Sequence, residues 1–369
     1  MMSSATVRLS LSDSTMFQFP PRSEPETVPP PAPGSTLAAS PFSIPASTFH
    51  AALDLRVPVT IGCIYATAVA MLNAYNRSHG NKPWRISKSR AFFWFVVGHN
   101  VLLATYSGWT FMGMLRAARR TVCNPLAPAG LAGTVDSLCK IHGAPGLGNA
   151  IAYNRTMSRW ASESPLTNLL GTAGTPDPAH LGRFWNEGLA FYGWLFYLSK
   201  FYEVVDTAII IARGKTSSTL QTYHHAGAMM CMWSGIRYMS PPIWMFVFVN
   251  SGIHALMYAY YTLRALSVAV PQALKRSLTT MQIMQFLFGA SYAALHSFVS
   301  YTIPIQTSRL EDSAVEHHAG YQTVSCINTS GQTSAIWFNV LYLAPLTVLF
   351  VRFFVQSYFP SEKGGSKAP

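Results

Sequence analysis

Charge is what this sequence has least of. Asp, Glu, Lys and Arg make up 11% of its 369 residues while 50% are apolar, against about 25% charged in a soluble domain. A conventional water-soluble globule is thereby excluded, and a membrane protein is expected. Acidic residues are scarcer still, 14 against 26 basic, for a net charge of +12. The basic residues are spread over many loops and form no nucleic-acid patch; membrane surfaces or the phosphates of a soluble anion explain them more simply. Residues 1–54 contain no apolar run long enough for a signal peptide, so the first span must be its own targeting signal. No internal repeat is visible, and no His-x-x-x-His occurs. The second absence argues against a metal site of the diiron desaturase kind, which needs many histidines in repeated boxes.

What is present is long apolar runs. Seven windows can each cross roughly 30 Å of hydrocarbon as a helix: Val57–Tyr75, Ala91–Leu115, Gly188–Ala212, Leu220–Ile236, Ile243–Leu263, Met281–Ile303 and Ser334–Val355. The chain is therefore expected to be all-α and polytopic. A Ser/Pro-rich tail over residues 1–54, with Pro29, Pro30, Pro31 and Pro33 close together, is expected to be disordered; residues 55–358 form one membrane domain and 359–369 a short tail. Arg77, Lys82, Arg85, Lys88 and Arg90 crowd the first loop without an acidic partner, which places it in the cytosol. The N-terminus is then lumenal and the C-terminus cytosolic, with Arg213, Lys215, Arg264, Lys275, Arg276, Lys363 and Lys367 also on the cytosolic side. Against this topology stands the second loop, between Arg116 and Glu187, with seven basic residues on the lumenal side; long loops cross regardless of charge. The sequons at Asn154 and Asn328 fall in lumenal loops, and a third at Asn76 in a cytosolic one. Cys63 and Cys231 sit within spans, whereas Cys123, Cys139 and Cys326 are lumenal. One disulfide is expected from Cys326 to Cys123, with Cys139 as the alternative partner.

Ionisable groups inside a bilayer cost about 2.5–3.5 kcal/mol each on insertion scales, so each needs a reason. Lys200, Glu203 and Asp206 are spaced by three along one side of the third span, where Lys200 and Glu203 can pair. Counting about 1.5 Å per residue from the cytosolic end of each helix puts these three in the same layer as His99, Asn100, His224, His225, His254, Gln282 and Gln285. His296 and Asn339 are read instead as core residues with satisfied hydrogen bonds. A polar layer open to one side and closed by apolar helices describes a blind pocket for an amphipathic molecule with a charged head. The plainer alternative is a set of ion pairs that only hold the bundle together. The eleven histidines include adjacent pairs at His224–His225 and His317–His318. No Ser or Cys stands beside His224 in a nucleophile motif, so acyl transfer at this layer must use an imidazole. Arg213, Lys215, Lys275 and Arg276 at the mouth are candidates for holding phosphates.

These residues resemble a known family. Lys200-Phe-Tyr-Glu203-Val-Val-Asp206-Thr207, the box ending Tyr223-His224-His225-Ala226, Asn250-Ser-Gly-Ile-His254-Ala-Leu-Met257-Tyr258-Ala-Tyr260-Tyr261 and Leu278-Thr-Thr-Met-Gln282-Ile-Met-Gln285-Phe286 resemble, in order, the four signatures of the ELO fatty-acid elongases. The resemblance implies a seven-helix endoplasmic-reticulum 3-oxoacyl-CoA synthase, an acyltransferase in which six helices enclose an acyl tunnel. It implies acyl-CoA and malonyl-CoA as substrates and no further cofactor. It also implies a ketoreductase, a dehydratase and an enoyl reductase as partners in the cycle, with a homodimer allowed. By analogy His224 is the nucleophile, His225 its support and His254 the partner imidazole. Asn250, Gln221 and Gln282 are oxyanion donors; Glu203 and Asp206 orient histidines, while Tyr258, Tyr261 and Gln285 belong to the supporting layer. The family box commonly begins with His, and Gln221 stands there instead; an amide cannot titrate. The Gln form is similar to a branch seen among fungal and algal elongases, some acting on polyunsaturated chains. The C-terminal Ser-Glu-Lys-Gly-Gly-Ser-Lys-Ala-Pro lacks a dilysine retrieval ending. A seven-helix transporter or receptor for a lipid or anion is the alternative from another class, which internal repeats or broken helices would favour.

Overall fold

A computed structural model describes residues 5–34, 40–163, 170–311 and 314–359, with only the backbone described for 306–311 and 314–319. The side chains of His317 and His318, and the C-terminal segment with Lys363 and Lys367, lie outside the described residues. Long helices form over the apolar runs, three of them begun by a capping side chain. They are α2 (Arg56–Ser78), α3 (Arg90–Thr121), α7 (Thr219–Arg237), α8 (Ile243–Ala265), α9 (Gln272–His296) and α10 (Ser330–Tyr358). Ser89, Ser218 and Thr329 each turn a side-chain oxygen onto the backbone N–H three residues on, at the starts of α3, α7 and α10, and so satisfy a donor the helix cannot. By length and composition α2, α8 and α10 suffice to cross a membrane.

The third apolar run is not one smooth helix. A π-helical turn (Trp185–Gly193) leads into α5 (Trp194–Tyr202), and α5 meets α6 (Val204–Ala212) at Glu203. Within the π-helical turn Gly188 has φ 136°, a conformation closed to other residues. Of the anticipated windows, the sixth ends earlier than its apolar run: α9 stops at His296, and the next apolar residues enter a strand.

That strand belongs to a feature the all-α expectation omitted. β4 (Val299–Glu311) and β5 (Ala314–Ser325) form an antiparallel hairpin, and β1 (Val7–Leu9) adds to the free edge of β4. A second hairpin joins β2 (Ile151–Asn154) to β3 (Arg159–Ser162). Alternating, β-branched runs in loops can pair as strands once neighbouring chain offers an edge. Within the tail expected to be disordered, the described residues 5–34 and 40–54 carry regular structure and contacts to the helices. Besides β1, short helix α1 (Ala46–Ala52) buries Phe49 and leads into buried Leu53. Its last carbonyls accept from Trp194 Nε1 (3.3 Å, Phe49), Tyr197 Oη (2.8 Å, Ala52) and Trp233 Nε1 (2.7 Å, Leu53). Thr27 and Arg237 also bond the tail to the end of α7.

In the second loop the described residues, helix α4 (Gly130–Cys139) among them, are held by the charges that seemed out of place. Arg183 is buried and spends its guanidinium on Asp136 Oδ2 (2.6 Å) and on the carbonyls of Asp136, Lys140, Ala144 and Gly146. Tyr301 Oη donates to the other Asp136 oxygen at 2.7 Å. Lys140 pairs with Glu163 at 3.0 Å and donates to Ser325 O and Asn328 Oδ1. The disulfide is Cys139–Cys326, and Cys123 is free, which corrects the expected Cys123–Cys326 bridge. α4 carries Cys139 to within 4.8 Å, Cα to Cα, of Cys326, inside the range a disulfide requires.

His142 in the same loop is buried between Trp160 and Trp185, and neither ring nitrogen finds a partner among the described residues. Burial, helped by the Arg183 charge, lowers its pKa to about 3. A depressed histidine costs nothing above its unfolded value of about 6.5 and destabilises progressively as pH falls below it, by about 2 kcal/mol at pH 5. His142→Leu should therefore shrink the fall in melting temperature between pH 7 and pH 5; an unchanged fall would assign the acid sensitivity elsewhere.

Candidate functional site

α3 packs along α8, and α10 lies against both α7 and α9. Where α5, α7, α8, α9 and α10 converge they leave a cavity of about 40 Å³. Its polar lining is Lys200, His224, Asn250, Gln285, Asn339 and Tyr342, and its apolar lining includes Phe196, Met232, Phe246 and Leu346. One turn of α7 thus delivers His224 to the cavity. His225, next along the helix, turns instead to α2, where its ring meets Tyr65 edge-on at 6.2 Å.

His224 Nδ1 lies 3.0 Å from Tyr342 Oη, and that hydroxyl donates to the His224 carbonyl at 2.9 Å. Among the described residues no hydrogen bond engages His224 Nε2. Tyr342 was not singled out from the sequence. It lies in an apolar run, and its only trace there is Gly227, where an added Cβ would stand 2.1 Å from the Tyr342 ring.

Lys200 and Glu203 pair as their spacing suggests, at 2.6 Å with both side chains 4% exposed. Lys200 Nζ also reaches Asn250 Oδ1 at 3.4 Å and lies 4.0 Å over the Phe196 ring. Ser199 adds a hydroxyl to Glu203 Oε1 at 3.3 Å. His254 Nδ1 stands 3.9 Å from the same oxygen, too far for a hydrogen bond, and does not line the cavity. A second cluster gathers around Asp206. His99 Nε2 donates to it at 2.9 Å, Tyr258 Oη donates at 2.5 Å, and His99 Nδ1 faces Tyr202 Oη at 3.2 Å. Asn100 is buried on α3 near this cluster, and the Tyr261 ring lies 6.0 Å from that of Tyr258.

The amides divide. Asn250 and Gln285 line the cavity, and Gln285 Oε1 has no partner among the described residues. Gln221 instead donates to Thr207 Oγ1 at 3.1 Å, beside Tyr65, and Gln282 faces Met257 Sδ at 3.4 Å. Asn339, read as a core residue, lines the cavity. His296 stays outside it, with Nδ1 donating to Tyr292 O at 2.8 Å. Arg213 and Lys215 are exposed after α6. Lys275 and Arg276 are exposed at the start of α9 and lie over the aromatic rings of Tyr358 and Phe354, 5.8 Å in each case. Cys139, His296 and Cys326 place three ligand atoms within 4.8 Å of one another, but both sulfurs are spent on the disulfide.

The arrangement defines a mostly helical, polytopic membrane protein with an imidazole at a small, largely apolar cavity. The model of the ELO family, described as GNS1/SUR4, matches residues 50–366, and the chain belongs to that family. It is 32% identical over 184 residues to very long chain fatty acid elongase 3 of Homo sapiens, covering 50% of this chain and 59% of the relative. It is 29% identical over 174 residues to long chain fatty acid elongase 1 of Caenorhabditis elegans, covering 46% and 51%. With fatty acid elongase 2 of Trypanosoma brucei brucei (strain 927/4 GUTat10.1) it shares 28% over 185 residues, covering 50% and 62%. These alignments span about half to three-fifths of the relatives' own length.

Removing one partner of a buried ion pair leaves an uncompensated charge, at a cost of about 3–5 kcal/mol. Lys200→Met should lower the melting temperature of the protein in detergent markedly, and adding Glu203→Gln should recover much of the loss. Equal stability of the single variant and the wild type would show that the pair is solvated.

Proposed function

We propose that this chain is the condensing enzyme of fatty-acid elongation, a 3-oxoacyl-CoA synthase. It joins a long-chain acyl-CoA to malonyl-CoA, releasing CoA and carbon dioxide and giving a 3-oxoacyl-CoA two carbons longer. The observation that carries the reading is His224: within the family's histidine box it is the one imidazole lining the cavity, and among the described residues no hydrogen bond engages its Nε2.

His224 Nε2 attacks the thioester carbonyl; the C–N bond forms, the C–S bond breaks and CoA leaves as thiolate. Malonyl-CoA then loses carbon dioxide, and its enolate takes the acyl group, freeing the imidazole. Asn250 supplies an amide donor to the developing oxyanion, with Lys200 beside it. The acyl tail runs past Phe196, Met232 and Leu346, which turn aside because the resting cavity is far smaller than a fatty chain. Arg213, Lys215, Lys275 and Arg276 hold CoA phosphates at the mouth. No cofactor beyond the two thioesters is needed. The 3-oxo product passes to a ketoreductase, a dehydratase and an enoyl reductase.

Seven crossings serve this chemistry: α2, α3, the run from the π-helical turn through α6, and α7 to α10, six of them around the tunnel. The protein resides in the endoplasmic-reticulum membrane with its N-terminus lumenal and its C-terminus cytosolic. Supporting this orientation, the Cys139–Cys326 disulfide suits an oxidising lumen, and the short basic loop after α2 suits the cytosol.

Wild-type protein given acyl-CoA alone should release one equivalent of CoA in a burst, and labelled carbon dioxide should appear only when malonyl-CoA is added. A His224→Ala variant that still gives the burst would sink the covalent step; no carbon dioxide from the wild type would favour a transporter.

Orientation has its own measurement. Asn154 caps the β2–β3 turn at the surface, whereas Asn328 accepts from Lys140. Asn76 is buried, donating to Ile211 O and Lys215 O. Mass mapping of protein from a eukaryotic host should find glycan on Asn154 and none on Asn76; sugar on Asn76 alone would invert the topology.

A further inference from the structure

We propose that Tyr342 is a positioning residue that locks His224 in its Nδ1–H tautomer and so keeps the Nε2 lone pair available to the cavity. The proposal rests on the reading of His224 as the nucleophile. A phenol carries one proton. Tyr342 Oη is 2.9 Å from the His224 carbonyl oxygen and 3.0 Å from Nδ1 of the same residue. The carbonyl can only accept, so the phenolic proton goes to it and the phenolic oxygen is left as an acceptor. Nδ1 must then be the donor. The other tautomer would set the carbonyl and a bare Nδ1 in competition for one proton, leaving a buried acceptor short.

The surroundings hold the phenol to this task. The Tyr342 ring stacks on Tyr223 (5.4 Å between centroids, 25° between planes). Tyr223 Oη donates back to the Tyr342 carbonyl at 3.2 Å. The absence of a side chain at Gly227 admits the ring, since a Cβ there would lie 2.1 Å from Tyr342 Cε2. One residue of α10 thus holds both the backbone and the ring of His224.

The lock keeps charge and atoms balanced through the cycle. Attack by neutral imidazole at Nε2 gives an N-acylimidazolium, with the ring's positive charge matched by the departing thiolate. Nδ1–H stays on the Tyr342 oxygen. Decarboxylation converts the malonyl carboxylate into carbon dioxide and an enolate. The enolate forms the new C–C bond as the C–N bond breaks, and the ring returns neutral. At no step must Nδ1 give up its proton.

Tyr342→Phe keeps the ring, its stacking and the packing against Gly227 while removing the hydroxyl. With acyl-CoA alone, the rate constant of the CoA burst should fall by about tenfold or more, the order seen when a ring-orienting partner is lost. The half-saturating acyl-CoA concentration and the melting temperature should stay at wild-type values, a separation that a merely structural tyrosine would not produce. Gly227→Ala, which displaces the ring, should slow the burst in the wild-type background and add little to Tyr342→Phe. A wild-type burst rate in Tyr342→Phe, with His224→Ala inactive, would overturn the proposal alone. A burst retained in His224→Ala would overturn the reading on which it rests.

Discussion

Two ionised side chains can lie between apolar helices only if each finds the other, and Lys200 and Glu203 impose that condition on the whole bundle. Their pairing sits where α5 gives way to α6, so the break in the helix falls at the carboxylate. Lys200 reaches across to Asn250 on α8, and the same carboxylate faces His254. One turn further on, Asp206 gathers His99 from α3 and Tyr258 from α8. Three charges on one helical stripe therefore fix the relative rotation of three helices, and the cavity beside His224 is the space that this arrangement leaves. Apolar packing alone is non-directional and would tolerate other rotations.

Much of this geometry was legible because periodicity carries it. A spacing of three put Lys200, Glu203 and Asp206 on one side, and counting rise per residue brought His224 and Gln285 to the level of the ion pair, while Asn250 was found only through the resemblance. What periodicity does not carry is the direction in which adjacent side chains diverge. His224 and His225 sit next to each other yet face α10 and α2, and Gln282 and Gln285, nearly one turn apart, end in different surroundings. Tyr342 was invisible for another reason: in an apolar helix a tyrosine reads as packing, and its partner lies 118 residues away. Of the two partners anticipated for Cys326, the less favoured Cys139 is the one that bonds, because α4, a ten-residue helix in a loop, decides which cysteine meets it.

The second loop shows the same gap between composition and arrangement. Counted by sign, its basic residues opposed the topology. Arranged in space, Arg183 and Lys140 are structural cations, each buried against a carboxylate and donating to backbone carbonyls. Arg120 is bonded to Glu187 at 2.5 Å. Such residues contribute no free charge to a surface potential, so counts of lysine and arginine mislead where a loop has its own core.

β1 carries a consequence for how the molecule is made. Val7–Leu9 pair with Val299–Tyr301, nearly 300 residues downstream, while the helices between are built from local bonds that can form as each is synthesised. Until β4 has been made, the N-terminal strand has no edge to join, and the hairpin of β4 and β5 ends at Cys326, whose partner Cys139 is made much earlier. The sheet is thus a late closure, open to β1 only once every helix before β4 has been made, with α10 still to follow. Its completion reports that the ribosome has passed the sixth long helical run and that the first residues have waited nearby throughout.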